Sequence, residues 1–128
     1  MNILLDTHAL LWFVGADTKL SVVAKSEIES PNNRKWVSVA SCWEISIKVG
    51  LGKLRLADPV DDFLKSELAT NHFSLLPIEL RHVTFVSTMA QHHRDPFDRL
   101  LVAQSLLENH GFVSGDQKMD AYGVNRIW

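Results

Sequence analysis

The chain has 128 residues, of which 46% are hydrophobic, and its formal net charge is −2. This length and apolar content predict a single globular domain over residues 1–128 and exclude disordered and fibrous classes. The charge provides no global basic field for nucleic acid, so such a partner needs a local basic patch or bound cations. The single Cys42 excludes an internal disulfide framework and a multi-cysteine zinc site, and favours a reducing compartment.

The chain opens with a strand that leads directly into a helix. Residues 3–5 form an apolar run that stops at Asp6, and residues 7–14 are apolar on nearly all sides, which indicates a buried strand and a buried helix. The apolar stretch is interrupted by Asp6 and His8, lacks a basic leader and is too short to cross a bilayer. We therefore expect a cytoplasmic protein that does not bind a membrane.

The rest of the chain alternates between strand and helix patterns. Apolar runs bounded by turn residues predict further strands at 36–39, 73–78, 112–114 and 123–128. Helical spacing of apolar residues predicts helices at 21–29, 42–49, 59–69 and 79–91, and one from Asp95-Pro96 to just before Gly111. The alternation predicts an α/β domain with a mainly parallel sheet and right-handed crossovers.

Four carboxylates lie where such a fold brings functional groups together. Asp6 and Asp116 lie just beyond predicted strands, and Glu44 and Asp98 lie in the opening turns of predicted helices. Ligands of an open parallel sheet bind at the carboxyl ends of its strands, so we expect the four side chains to converge. Mutual repulsion raises the pKa values of crowded carboxylates unless cations or basic groups neutralise them.

The ligand chemistry of this cluster indicates a hard divalent cation. Oxygen ligands without a thiolate or a convincing histidine cluster favour Mg²⁺ or Mn²⁺ over zinc. Such a cation lowers the pKa of a bound water and stabilises an in-line phosphodiester displacement, so no nucleophilic side chain is needed. The sequence agrees, because it contains neither a nucleophile-elbow motif nor a glycine-rich phosphate loop.

Four segments carry a family resemblance. They read LLDTHALLW, SCWEISIK, HHRDPFDRLLVAQS and VSGDQKMDAYGV, in this order along essentially the full length. Together they resemble the PIN-domain ribonucleases, and in particular the VapC-type toxins of bacterial toxin-antitoxin pairs. The resemblance implies a three-layer α/β/α sandwich, Mg²⁺- or Mn²⁺-dependent endonucleolytic cleavage of RNA, neutralisation by a cognate VapB-type antitoxin, and a homodimer.

The resemblance also assigns roles residue by residue. Asp6, Glu44, Asp98 and Asp116 match the acidic quartet of the family, which is both catalytic and metal-binding, and Asp6 and Asp98 are the expected direct metal ligands. Ser114 matches a position where the family commonly has Thr or Ser. The immediate neighbours of Asp116 depart from the family pattern, so the match is least close at this acid.

Each acid also has a structural alternative. Asp6 could cap the first helix, Glu44 could pair with Lys48 one turn on, and Asp116 could be a turn residue. At the start of the predicted helix that follows Asp95, this acid at the cap and Asp98 at the third helical position resemble a capping box, and both acids suit the positive end of the helix. With the resemblance, we assign the first of these, Asp95, the cap and the second, Asp98, the metal.

Other side chains near the acids have ordinary explanations. We interpret His92 and His93 as a solvated helix end, because adjacent histidines point in different directions on a helix, and His8 as a packing or supporting residue. Core packing explains most of the aromatic residues better than base stacking does: Trp12, Phe13, Trp36, Trp43 and Phe97. Basic residues near the site could contact RNA phosphates, although a solvated face is the default: Lys48, Lys53, Arg55 and Arg99.

Three functions are compatible with these features. The favoured one is a metal-dependent ribonuclease toxin, in which Asp6 and Asp98 bind the metal while Glu44 and Asp116 complete the cage or orient the attacking water. The second is a phosphoacceptor receiver domain, although Asp6 lacks an adjacent acid and no Asp ends the strand at 36–39. The third is a noncatalytic binding module in which all the acids are caps.

Overall fold

The computed structural model describes residues 1–128 as five strands, six α-helices and two short 3-10 helices, Val86–Thr88 and Gln117–Tyr122. The strands are β1 (Asn2–Leu5), β2 (Arg34–Ser38), β3 (Ser74–Leu76), β4 (Gly111–Val113) and β5 (Arg126–Ile127). The α-helices are α1 (Thr7–Val14), α2 (Val22–Glu29), α3 (Val39–Gly50), α4 (Val60–Thr70), α5 (Leu80–Phe85) and α6 (Pro96–Glu108). None of these helices combines the length and the apolar character that crossing a membrane requires.

The strands form one sheet in which all neighbours run parallel, in the order β3-β2-β1-β4-β5. The strands β2 and β3 lie in chain order on one side of β1, and β4 and β5 lie in chain order on its other side. Such a reversal of strand order opens a crevice at the carboxyl ends of the two central strands, here β1 and β4. Receiver domains have the order 2-1-3-4-5, so this topology does not fit the receiver alternative.

A hydrophobic core lies on each face of the sheet. Ile3 and Leu5 of β1 pack on one face with buried residues of α1, α2 and α3, and partly buried residues of α4 cover them. Leu4 and Phe112 pack on the other face with residues of α6 and of the second 3-10 helix. The alternation along β1 divides its side chains between the two cores. The result is the three-layer α/β/α sandwich that the resemblance implied.

The boundary between β2 and α3 differs from the prediction for a local reason. Ser38 ends the strand, and its hydroxyl accepts the backbone N–H of Ala40 at 3.0 Å. This cap starts the helix at Val39, three residues before the predicted position at Cys42. The earlier start gives α3 an additional turn that leads from the sheet edge toward the crevice.

The predicted helix at 79–91 is correct only in its first half. Residues 89–95 have no regular structure. The hydroxyls of Ser87 and Thr88 each donate to the backbone carbonyl three residues earlier, at 2.8 Å, and such bonds compete with helical backbone pairing. The guanidinium of Arg99 also donates to carbonyl groups of this segment. The chain therefore leaves the helix early and runs as a pinned loop into α6.

Candidate metal centre

Asp6 connects β1 to α1 at the crevice. Its backbone N–H donates to the Val113 carbonyl of β4 at 3.0 Å, and its Oδ1 accepts the Ala9 N–H at 2.7 Å. Burial raises the pKa of Asp6, against the lowering effect of hydrogen bonds from Ala9 and Ser114. The cap uses one carboxylate oxygen, so the structural alternative and a ligand role are compatible at this residue.

Glu44 is buried on α3, and only one of its two carboxylate oxygens has a partner. Its Oε2 pairs with the ammonium of Lys48, one turn on, at 3.0 Å, so the predicted alternative pairing is present. Its Oε1 is also buried, yet it has no hydrogen-bond partner. A buried carboxylate oxygen without a partner is costly, which indicates a group that a water or a cation completes.

Asp95 and Asp98 divide the roles at the start of α6. One oxygen of Asp95, Oδ1, accepts the backbone N–H groups of Phe97 and Asp98 at 2.8 and 3.1 Å. Asp95 is therefore the helix cap. The Asp98 carboxylate makes no contact with the helix backbone and faces the histidine side chain of His93 at 3.4 Å, which leaves it available within the pocket.

The charge environment of Asp98 shows which acids share that pocket. The pKa of Asp98 is raised to about 7, chiefly by burial and also by the negative charges of Asp95, Asp6 and Glu44, while His93 opposes the rise. The same interaction between Asp6 and Glu44 raises the pKa of Asp6. The carboxylates of Asp6, Glu44 and Asp98, which come from the end of β1, from α3 and from α6, therefore lie close enough to repel one another at the crevice.

Asp116 lies across the crevice, just beyond β4. Its Oδ1 accepts the Lys118 N–H at 3.0 Å and caps the second 3-10 helix, while its Oδ2 contacts His93 Nε2 at 2.9 Å. Burial raises the pKa of Asp116, but the hydrogen bonds from Lys118 and His93 and the positive charge of Lys118 outweigh it, so the pKa is lowered. Asp116 reaches the Asp98 carboxylate through the intervening histidine.

His93 was missed by the sequence reasoning, which interpreted it as a solvated helix end. The structure places its Nε2 between Asp98 Oδ2 and Asp116 Oδ2, with its side chain only 12% exposed. The interpretation was wrong because residues 89–95 are not helical. His92 and His93 therefore do not alternate around a helix, and the second of them can turn inward.

The segment after β4 is shaped by a small residue. Ser114 is fully buried, and its hydroxyl accepts the Asp116 N–H at 3.1 Å. A Cβ at Gly115 would lie 2.9 Å from the Trp128 indole, so glycine allows the terminal tryptophan to cover this turn. Trp128 and the pair of His8 and Trp12, stacked with ring centroids 5.5 Å apart, wall a cleft of about 260 Å³ next to Asp6 and Asp116.

Arg99 is structural, which corrects its interpretation as a solvated or RNA-contacting residue. It is 7% exposed. Its guanidinium donates to the carbonyls of Val86, Ala90 and His93 and to the Tyr122 hydroxyl, at 2.9 to 3.5 Å. A planar guanidinium can hold several acceptors at once, and here it fastens the loop before α6 to the helix.

Replacing Arg99 by Lys is expected to lower the free energy of unfolding by about 2 kcal/mol, because a single ammonium cannot reach all these acceptors and leaves carbonyls unpaired. Urea unfolding measures the change. Arg55→Lys, at an exposed position, is the control and should change the value by less than about 0.5 kcal/mol. Equal effects of the two substitutions would contradict the structural role of Arg99.

A second group of histidine and acids, on α5 and α6, is a helix cap. His82 Nδ1 accepts the Glu79 N–H at 3.0 Å, and His82 Nε2 faces Glu108 Oε1 at 2.8 Å. Because Nδ1 accepts a backbone N–H, the ring proton is on Nε2, which leaves no free lone pair for a metal. This group stabilises the start of α5 and its contact with α6.

The acidic pocket fits a divalent cation. Its donors are carboxylate oxygens, and the one cysteine, Cys42, belongs to the hydrophobic core, so the donor set suits Mg²⁺ or Mn²⁺ rather than zinc. Oε1 of Glu44 has no partner, and burial together with mutual repulsion raises the pKa values of Asp6 and Asp98, which disfavours their charged forms. A bound cation would supply a partner for Glu44 Oε1 and would favour the charged forms of Asp6 and Asp98.

Comparisons with known proteins give one family match and several structures of similar fold. The family model of the PIN domain matches residues 3–125, whereas the comparison with curated proteins finds no match. Among solved structures, VapBC2 from Rickettsia felis, bound to a promoter DNA fragment, has a TM-score of 0.73 at 13% identity, with both chains covered in full. VapBC-1 from nontypeable Haemophilus influenzae has a TM-score of 0.69 at 15% identity, over 98% of this chain and 96% of the other. FitAcB from Neisseria gonorrhoeae has a TM-score of 0.56 at 15% identity, over 97% and 95%.

Proposed function

Because the chain belongs to the PIN-domain family, we propose that it is a Mg²⁺- or Mn²⁺-dependent endoribonuclease and the VapC-type toxin of a toxin-antitoxin pair. The observation that carries the proposal is the under-neutralised carboxylate pocket, in which the pKa of Asp98 is about 7 and Glu44 Oε1 has no partner. Structural similarity to VapBC proteins supports the toxin role.

In this proposal, Asp6 and Asp98 hold the cation, while Glu44 and Asp116 complete its ligands or orient the attacking water. A bound cation would neutralise the phosphodiester charge and would lower the pKa of a bound water. Glu44 Oε1 has free lone pairs for a hydrogen bond from that water, while Lys48 fixes the other oxygen. The water oxygen would form a new P–O bond as the P–O bond to the leaving oxygen breaks, while the water releases a proton to solvent and the leaving oxygen takes one up.

A nuclease assay tests the activity. Metal-free protein is incubated with a mixed RNA substrate, with and without Mn²⁺, alongside Asp6→Asn and the control Asp62→Asn, which alters an exposed acid on α4. We expect wild-type protein and the control to cleave RNA only with Mn²⁺, and Asp6→Asn to leave RNA intact. RNA decay in Asp6→Asn at the wild-type rate would refute the proposal.

An exposed apolar stripe along α3 and the residue that follows it supports the proposed antitoxin partner. Trp43, Ile47 and Leu51 follow one another at four-residue spacing and are 59%, 37% and 64% exposed, so core packing does not explain Trp43. The stripe runs into the segment 49–56, which we propose forms part of the groove for the antitoxin. We expect a photocrosslinker at Arg55 to capture an antitoxin peptide, and no capture at this position would exclude the segment as the groove.

A separate apolar surface supports the proposed homodimer. Leu75 of the edge strand β3 and Leu80 and Val83 of α5 are 47%, 80% and 50% exposed. Light scattering after size exclusion should give twice the chain mass for wild-type protein and the monomer mass for Leu80→Glu. A dimer that survives this substitution would move the interface elsewhere. A cytoplasmic location, where RNA is available, belongs to the same proposal.

A further inference from the structure

We propose that His93 is a positioning residue of the metal centre: it donates its Nε2–H to Asp116 and lies against the Asp98 carboxylate, and so holds the two carboxylates together without being a ligand itself. This inference rests on the proposed function and assigns a role within the same site. It starts from the contacts of the two ring nitrogens, which differ.

The contact at Nδ1 determines where the ring proton lies. His93 Nδ1 lies 3.0 Å from the backbone nitrogen of Asp95, whose N–H donates to it. A backbone N–H can only donate, so Nδ1 is the unprotonated nitrogen and the proton is on Nε2. Nε2 lies 2.9 Å from Asp116 Oδ2 and 3.4 Å from Asp98 Oδ2. A protonated Nε2 has no lone pair for a metal, so His93 donates to Asp116 and presents the same N–H beside Asp98.

The backbone of His93 is fixed as firmly as its ring. Its N–H donates to the Tyr122 hydroxyl at 3.0 Å, and the neighbouring N–H of His92 donates to the same hydroxyl at 3.1 Å. Arg99 donates to this hydroxyl and to the His93 carbonyl, at 3.0 and 3.5 Å. The loop thus gives the imidazole one position between β4 and α6, which is what a positioning residue requires.

The two acids depend on this donor because they come from different elements. Asp116 follows β4 and Asp98 lies in the first turn of α6, and two carboxylates side by side repel each other. His93 Nε2–H attracts both, and with the Lys118 N–H on Oδ1 it fixes both oxygens of Asp116. Partners that orient metal ligands in this way contribute about 10- to 100-fold to metal affinity.

Two substitutions of His93 separate the two ring nitrogens. Asn places an amide near Nδ1, where it can still accept the Asp95 N–H, but has no atom at Nε2. Gln extends one bond further and can place an amide N–H near Nε2, facing the acids. Calorimetric titration of the metal-free full chain with Mn²⁺ measures affinity directly. We expect His93→Asn to bind Mn²⁺ about 10- to 100-fold more weakly and His93→Gln to stay within about threefold of wild type.

Each outcome decides a specific point. Wild-type affinity in His93→Asn overturns the inference, and so does equal weakening in both variants, because a ligand role for the ring would produce it. If the wild-type protein binds no Mn²⁺, the proposed function is overturned and this inference with it. If Asp6→Asn abolishes Mn²⁺ binding and His93→Asn leaves it unchanged, only this inference is overturned.

A measurement on the wild-type protein tests the inference even if the His93 variants do not fold. Long-range ¹H–¹⁵N spectra distinguish the two neutral tautomers of an imidazole, and diamagnetic Mg²⁺ permits the same spectra with metal bound. We expect His93 to keep its proton on Nε2 before and after Mg²⁺ is added. A proton on Nδ1, or loss of the Nε2 proton on binding, overturns the inference.

Discussion

Replacing Asp98 by Asn is expected to stabilise the metal-free protein at pH 8 by about 2 kcal/mol. Burial and neighbouring negative charges raise the pKa of Asp98 from 3.8 to about 7. An acid with a raised pKa in the folded state contributes stability below its unfolded value, and that contribution is lost as the pH rises through the folded value. At pH 8 the folded protein therefore carries the full cost of a crowded carboxylate, which the neutral amide removes.

The size of this stabilisation depends on pH. The raised pKa predicts that the advantage of Asp98→Asn is greatest above pH 7 and shrinks as the pH approaches 4, where the wild-type carboxyl is protonated in the folded state. Urea unfolding with EDTA at pH 8 and pH 4.5 measures it. Asp61→Asn is the control, since Asp61 is 74% exposed and pairs with Lys65 at the surface. Destabilisation of Asp98→Asn at pH 8 would contradict the crowded pocket.

The same substitution should abolish RNA cleavage. A cation in the pocket contributes several kcal/mol to the transition state, and loss of a ligand that holds it should cost at least about 10³-fold in rate. Asp98→Asn would then be more stable and inactive, which separates a functional acid from a structural one. Activity at the wild-type level in the stabilised variant would favour the noncatalytic binding module.

The elements that could be predicted are those with strong local signals. The helix at 7–14 was predicted with its observed bounds, because an apolar strand, an aspartate cap and an apolar helix follow one another without interruption. The prediction at 79–91 continued too far because apolar spacing does not show that serine and threonine hydroxyls and a distant arginine compete for the carbonyl groups. The last strand is limited to Arg126–Ile127, which is shorter than the predicted strand at 123–128, because it pairs only with β4.

The candidate site divides in the same way. Asp6 and Asp116 could be placed together from sequence because both follow strands that are neighbours in the sheet. His93 could not, because it lies in an irregular loop and its partner Asp116 is 23 residues away. Arg99 was misinterpreted for a related reason: its acceptors are backbone carbonyls, which every residue carries and no sequence pattern marks. Contacts between a side chain and the backbone of a distant loop are therefore the hardest to predict from a sequence.

Adding Mn²⁺ is expected to stabilise the wild-type protein strongly at pH 8 and progressively less below pH 7. A ligand at 1,000 times its dissociation constant stabilises the folded state by about 4 kcal/mol, which is roughly a 15 °C rise in Tm for a domain of this size. Binding requires the Asp98 carboxylate, whose pKa in the metal-free fold is about 7. Each pH unit below that value should therefore weaken Mn²⁺ binding about tenfold and remove about 1.4 kcal/mol of the stabilisation.

Thermal unfolding at pH 8, 7, 6 and 5.5, at one Mn²⁺ concentration and with EDTA, gives this dependence as a difference between paired curves. Asp98→Asn should show little shift at any pH, because it lacks the titrating ligand, and Asp61→Asn should follow the wild-type curve. A Tm shift that is the same at pH 5.5 and pH 8 would mean that the cation does not compete with the proton on Asp98. Since protons and metal then occupy different places, the pocket at the β1–β4 crevice would not be the metal centre.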